Sequence, residues 1–353
     1  MKKTIAFGLL LLAIGLPASA EEASVMPKMV GRVYFVPLYG FIPGGYDADG
    51  AYKKADNTTS FFNLGMAVEF GVLDWLSAAI QWAPGWTPWS DAGSGSPFGN
   101  GKVNLNGVQD IFAGAKILIL GKKALVENDT FRGSVALGVK IPLSGPDYPD
   151  EVTKALKGET ATLASMDKHV FAAGARFYFD WIINEYFFLN LYNETMIYPV
   201  KQNLDKAGPT LAGAKVAAIA SGAPAQYVNS TEGNINYKYM LTFEVEPHFA
   251  YPLAEGIRFT AGLPVTYKFS PAPDYSVTGP LASLNQNILA RLNGDPAHSL
   301  SVGPNVSVFF TKFVVPIDVL AFYNIPVWGR NGNATHTIGL KVKVYFAVPG
   351  ADR

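Results

Sequence analysis

Between Phe62 and Trp82 the chain alternates. Phe62, Leu64, Met66, Val68 and Phe70 form an apolar row, while Asn63, Gly65, Ala67, Glu69 and Gly71 form a small or polar one. Past Leu73-Asp74 the pattern resumes, with Leu76, Ala78, Ile80 and Trp82 against Ser77, Ala79 and Gln81. A period of two predicts strands, and so brief a break predicts a tight hairpin. Similar segments recur at about 30–42, 60–72, 75–86, 106–120, 131–143, 167–181, 185–198, 236–251, 256–269, 298–311, 313–327 and 336–347. Short connections near 73–74, 121–130, 182–184, 252–255 and 311–312 take turns with long ones at 43–59, 87–105, 144–166, 199–235, 270–297 and 328–335. That rhythm is the pattern of a bacterial outer-membrane barrel, and a Greek-key sandwich has no reason to keep it. The expected fold is all-β: a transmembrane antiparallel up-and-down β-barrel of twelve strands, with short periplasmic turns and long extracellular loops. Fourteen strands remain the alternative, if a hairpin hides in 199–235 or 270–297.

The two faces differ as a barrel wall requires. One row carries Ile111, Ile117, Ile119, Val135, Leu137, Val139, Ile141, Phe177, Phe179, Leu189, Leu191, Ile338, Leu340, Val342 and Val344. The other holds nearly all the strand charges: Arg32, Glu69, Asp110, Lys116, Lys140, Arg176, Glu194, Lys238, Glu244, Glu246, Arg258, Lys268, Asp318, Lys341 and Lys343. A charge facing lipid at mid-depth costs roughly 2–4 kcal/mol, so this segregation places the second row in the lumen. Trp75, Trp181, Tyr186 and Phe346 at one set of strand ends, and Tyr39, Trp82, Trp86, Tyr198 and Trp328 at the other, read as interfacial girdles. Helical spacing in Pro280–Asn293 and, more weakly, Pro209–Ser221 predicts short loop helices that either cap the mouth or simply pack the loops.

Composition narrows the setting. Lys2 and Lys3, the apolar stretch Phe7–Leu16 and Ala18-Ser19-Ala20 read as a secretory signal peptide over residues 1–20, leaving 21–353 as one barrel domain. Basic and acidic residues balance at 28 each, so nothing suggests a nucleic-acid partner. There is no cysteine for disulfides or thiol chemistry, and no apolar run long enough for a spanning helix. The expected location is the cell outer membrane. The expected partners are its lipid, the barrel assembly machinery and a small hydrophobic ligand, with the chain acting as a monomer.

Candidate chemistry is sparse. His169, His248, His298 and His336 are scattered without ligand spacing, and no serine on its own hairpin faces His248. Neither a metal, a cofactor nor an enzymatic activity is therefore expected. The lumen charges are the functional candidates. Either they pair into a network that fills the barrel, or they line a narrow path and orient an amphipathic ligand. Inward residues on 106–120 and 131–143 whose numbers sum to about 250 should face each other, which predicts a direct Asp110–Lys140 ion pair. Pro37, Pro142, Pro247, Pro264, Pro304, Pro316 and Pro326 each remove a ladder donor. Several can mark strand ends, but Pro264 and Pro304 fall at similar height on neighbouring strands and form a candidate seam for lateral opening.

Three stretches resemble the phenol-degradation meta-pathway outer-membrane family, grouped with the fatty-acid-transporter-like (FadL-like) barrels. They are Asn106–Lys116, Ala136–Gly145 and Glu69–Leu76, covering the region from residue 60 to 145. The resemblance implies passive uptake of small hydrophobic molecules, aromatic compounds or fatty acids. The alternative is a general diffusion porin, or a barrel that acts through its surface loops. Fatty-acid transporters carry an N-terminal plug. Here only about nine residues separate the signal from the first strand, so no plug of that kind is expected. Ala347–Arg353 also follow Phe346, where a terminal aromatic is expected.

Overall fold

A computed structural model of the chain describes residues 23–93, 98, 101–284 and 295–348. The expected signal peptide and most of the helix expected in 280–293 lie outside the described residues. What is described of that helix is a single turn, Pro280–Leu284.

Twelve strands form the wall: β1 (Val30–Tyr46), β2 (Tyr52–Leu73), β3 (Leu76–Asp91), β4 (Ile111–Leu120), β5 (Phe131–Ile141) and β6 (Ala172–Ile182), then β7 (Phe187–Ile197), β8 (Tyr239–Ala254), β9 (Ile257–Gly262 and Val265–Ser270), β10 (Ala297–Val302 and Asn305–Phe310), β11 (Ile317–Arg330) and β12 (His336–Ala347). Each pairs antiparallel with the next, and β12 closes on β1 from Val30↔Ala347 to Phe41↔His336. Closure leaves no edge with unpaired amides, which hydrocarbon does not tolerate. The first and last strands meet at the rim of the short turns, as expected.

The alternation places side chains as the sequence implies. Leu137, Val139, Phe177, Leu191, Ile338 and Leu340 are exposed on the outer face, whereas Glu69, Lys116, Glu244, Glu246 and Asp318 are buried on the inner one. Three sequence readings need correction. Residues 43–59 are not a long loop, because β1 and β2 run on to a turn at 47–51. Gly107–Val108 pairs with β3 as expected, but the continuous strand β4 begins only at Ile111 and β6 at Ala172, so Asp110 and 167–171 stand outside the wall's pairing. Tyr198 is buried and does not join a girdle.

The fourteen-strand alternative fails for a physical reason. Strands do occur in 199–235 and 270–297, but Gln202–Asn203, Glu232–Asn236 and Asp274–Thr278 pair among themselves as a separate small sheet. Above them sit α1 (Tyr148–Leu156), begun by Asp147 as cap and Pro149, and the expected alanine-rich helix α2 (Pro209–Ala220), ended by Ser221-Gly222. Tyr148, Val152 and Ala155 of α1 share an apolar cluster with Ala212 of α2 and Leu163.

Leu137 is 61% exposed at the centre of β5. Leu137→Arg is expected to destabilise the barrel by about 2–4 kcal/mol in lipid, and Leu137→Phe by far less. Denaturant titration in vesicles, read by heat-modifiable gel migration, checks both.

Candidate functional site

The lumen wall is not uniform. Part of the inward row on β1, β2 and β11 is apolar: Tyr34, Val36, Leu38, Ile42, Phe61, Leu320 and Phe322 form one buried cluster. Alternation does not reveal it because both rows of β1 are apolar, with Phe35 and Tyr39 on the outer one.

The sequence-predicted charges are mostly paired, some on these same strands and some around the rest of the wall. Arg32 donates to Glu69 at 2.8 Å, and Tyr34 adds a hydroxyl at 3.0 Å. Lys343 lies 2.9 Å from Asp318. Arg176 bridges Glu194 and Gln81 with its face over Phe112. Lys116 sits 4.0 Å above the Tyr178 ring, and Thr266 donates to Glu244 at 2.6 Å. Lys341 and Lys268 stand opposite Leu320 and Thr242 in the ladder. Lys238 pairs with Asp274 outside the barrel, and Arg258 is exposed at the short-turn rim. A ring of paired charge next to an apolar wall makes the lumen amphipathic.

Into this lumen drops the segment 164–170, which the sequence divided between a loop and the start of a strand. Met166 reaches the apolar wall, where Asn63 and Thr87 donate to its sulfur at 3.3 Å each. Lys140 does meet Asp110, but at 3.9 Å, and its nearer partner is Asp167 from the inserted segment. The β4–β5 register sums to 252, with Phe112 opposite Lys140, so Asp110 stands just outside the ladder. The expected cross-strand pair is thus one edge of a larger cluster. Asp167 also accepts the amides of Asp110 and Lys168, at 3.1 and 2.8 Å. Burial alone would raise its carboxyl, but Lys140 and these amides hold it below the usual range.

Lys168 is wedged between Tyr198 and Tyr237, its nitrogen 4.3 and 4.8 Å from their ring centres. Burial, and then the nearby Lys140 ammonium, push its amine down to about 7 against the pull of Asp167. The ring faces attract the charged form by about 0.5–2 kcal/mol, offsetting part of the desolvation cost. Ser165, His169 and Asp110 also converge here, a grouping that no spacing along the chain reveals. Ser165 Oγ is 2.7 Å from His169 Nε2, and His169 Nδ1 is 3.0 Å from Asp110 Oδ1.

The periplasmic end is occupied as well, which corrects the expectation of an unplugged barrel. Residues 23–29 turn into the lumen, with Ala23, Val25 and Met26 buried. The Ala23 amide donates to both oxygens of fully buried Asp180, at 3.2 and 3.0 Å. Arg132 and Asn190 hold the same carboxylate at 3.0 and 2.6 Å. The Met26 amide donates to Ser77 at 2.8 Å. Gly71 admits this backbone, because a Cβ there would collide with the carbonyl oxygens of Met26 and Pro27.

The proline seam takes a definite form. β9 is interrupted at Leu263-Pro264 and β10 at Gly303-Pro304, side by side, with one bond from the Gly303 amide to the Pro264 carbonyl at 2.8 Å. Pro247 adjoins them on β8, its carbonyl accepting from Leu263 at 3.2 Å. Pro142 and Pro316, by contrast, fall just beyond strand ends. Inside the seam Asn305 of β10 donates to Glu246 of β8 at 2.7 Å, spanning β9 at Gly262, where a Cβ would strike Glu246. His248 lies 2.9 Å from the other oxygen of Glu246 and stacks on Phe188 at 4.3 Å. Among the described residues no cluster of three metal-binding side chains occurs.

A closed twelve-stranded barrel with an apolar outer band, alternating turn lengths and an occupied polar lumen is an outer-membrane β-barrel. No family model matches the chain, and no curated protein does. Among solved structures, the COG4313 outer membrane channel from Pseudomonas putida F1 aligns over 92% of this chain and 98% of its own, with a TM-score of 0.59 and 9% identity, which establishes a shared fold. The P. putida toluene transporter TodX (92% of this chain and 91% of its own, TM-score 0.36, 11% identity) and the CymD monoaromatic hydrocarbon channel (93% and 90%, 0.37, 7%) align more loosely.

Lys168 generates a prediction. Outside the lumen its amine titrates near 10.4, and in place near 7, so the docked segment holds this proton less tightly. Docking should therefore strengthen as pH rises from about 7 toward 10, by up to about tenfold per unit, and be indifferent to it below 7. Hydrogen exchange of amides 164–170, corrected for intrinsic rates, is expected to show rising protection between pH 7 and 9. Lys168→Met should flatten that rise.

Proposed function

We propose that this barrel is a passive uptake channel for small hydrophobic molecules, aromatic or fatty-acid-like, across the outer membrane. The observation that carries the reading is the lumen itself. An apolar patch runs from Tyr34 to Phe322, and the charges beside it on the same strands are already paired and leave little field for ions. A molecule with an apolar body and a polar head matches the patch and its polar border at once. The inserted segment 164–170 and residues 23–29 obstruct the axis from opposite ends, which disfavours the alternative of a general diffusion porin. Likeness to a solved outer membrane channel supports a channel over a purely structural barrel. The phenol-pathway resemblance supports the aromatic side of the substrate range.

The exit belongs to the same reading. With the axis blocked, an apolar solute leaves most readily sideways, where β9 and β10 share the proline break and few ladder bonds hold the wall. Opening this seam requires Asn305 to release Glu246.

Cells that express the protein are expected to take up an aromatic hydrocarbon or a fatty acid several-fold faster than controls, while purified protein shows little conductance in planar bilayers. Large stable conductance without a gain in hydrophobic uptake would overturn the reading in favour of a diffusion pore.

A second test addresses the seam. Thr266 and Ser301 stand opposite each other beside the break, and the chain has no cysteine of its own. In the double variant Thr266→Cys, Ser301→Cys, oxidation is expected to cut uptake to near background and a reductant to restore it. Each single variant should respond to neither. Unchanged uptake in fully oxidised protein removes the seam from the route.

A further inference from the structure

The segment that enters the lumen carries an arrangement that obstruction alone does not need. Ser165 Oγ, the His169 ring and the Asp110 carboxylate form a continuous relay, with links of 2.7 and 3.0 Å. Hydroxyl, imidazole and carboxylate joined in that order are the geometry that makes a serine nucleophilic, whatever fold supplies it. The three residues come from the approach to β4 and from the inserted segment, so only the folded barrel assembles them.

Each member is fixed. Asp110 is fully buried, and the same oxygen that meets His169 accepts the Leu143 amide at 3.0 Å. Lys140 lies 3.9 Å from its other oxygen. His169 has a φ of 50°, unusual for a side-chain-bearing residue and the kind of strain found where geometry is held for a purpose. Its carbonyl accepts from Gln202 at 3.2 Å, and Gly145 leaves room for the ring, since a Cβ there would lie 2.7 Å from it. Ser165 is 9% exposed, and its Oγ accepts the Asp167 amide at 3.2 Å, leaving the hydroxyl proton to point at His169. The next residue, Met166, lies in the apolar cluster with Leu38 and Phe61, so an apolar group beside Ser165 has a surface to rest on.

We propose that Ser165 is an acyl-transfer nucleophile acting on carboxylic esters with an apolar acyl group. Oγ bonds to the ester carbonyl carbon as its proton passes to Nε2 of His169. The bond from that carbon to the alcohol oxygen then breaks, and the alcohol leaves with the proton from His169. A water molecule repeats the sequence on the acyl-enzyme, releasing the carboxylic acid and restoring Ser165. His169 acts as base and then acid. Asp110 positions the ring. This activity is separate from uptake, and neither requires the other.

The test uses the full chain refolded in detergent and an alkyl fluorophosphonate, which phosphonylates activated serines with loss of fluoride. One adduct mapping to Ser165 is expected, together with turnover of a p-nitrophenyl ester of a medium-chain acid that Ser165→Ala abolishes. His169→Gln should slow labelling by about 10²–10⁴-fold, and Asp110→Asn by up to about 10⁴-fold. Heat-modifiable migration verifies that each variant folds. A folded wild-type protein that leaves Ser165 unmodified overturns the proposal, and this result does not depend on any variant folding. Equal labelling rates in wild type and folded His169→Gln overturn it too, because a relay that only anchors the segment would not set that rate.

Discussion

Everything in this molecule depends on the ladder between β1 and β12. Hydrocarbon offers no partner to a free amide, so a sheet that enters it must close, and Val30↔Ala347 through Phe41↔His336 is where this one does. Closure dictates the two-residue period, since one row must face lipid and the other the lumen. It also creates an interior whose size the strand number sets. A twelve-strand wall encloses too little space for free charges and too much to be filled by strand side chains alone. The remaining volume is taken by residues 23–29 from one end and 164–170 from the other.

The two inserts are held by different chemistry. The periplasmic one is tied by its backbone: amides of Ala23 and Met26 donate to Asp180 and Ser77. Such bonds depend little on which side chains the segment carries. The outer one is tied by side chains, with Asp167 against Lys140, Lys168 between two tyrosines and Met166 in the apolar wall. Breaking a buried ion pair costs about 3–5 kcal/mol because a charge is left without a partner, so these contacts tend to form and release together.

Much of the wall was legible in the sequence. The parity of Phe62–Phe70 named the lipid face of β2 without error, and turn lengths gave strand number and orientation. What escaped has physical causes. The apolar lumen patch on β1 was hidden because Tyr34, Val36 and Leu38 interleave with Phe35 and Tyr39, and a strand apolar on both faces shows no alternation. The reach of β1 and β2 was hidden because Lys53, Lys54 and Thr58-Thr59 look like loop residues, although strands beyond the membrane have no need of apolar rows. Ser165, His169 and Asp110 were invisible as a group. The sequence placed Asp110 and His169 inside strands, where their side chains would point at opposite walls, and left Ser165 in an unassigned loop. Only the break in the ladder at Asp110 and the departure of 164–170 from it let the three meet. Asp110 and Lys140 were paired correctly in kind, but a register offset of two and an unforeseen third partner changed what the pair does.

The length of β2 has a consequence of its own. Twenty-two residues at about 3.3 Å each, tilted by about 40°, climb roughly 55 Å along the barrel axis, about twice the height of the apolar band. The β1–β2 hairpin therefore rises beyond the outer leaflet together with the β11–β12 connection, for Tyr46 pairs with Gly332 and Asp47 accepts the Asn331 amide at 3.1 Å. Lys53, Lys54 and Asp56 lie near its tip, around the tight turn at Asp47–Ala51. A cation so placed projects past the phosphate layer of the leaflet and meets the sugar chains and ions beyond it. For anything approaching the cell, this braced double hairpin offers a fixed foothold beyond the lipid.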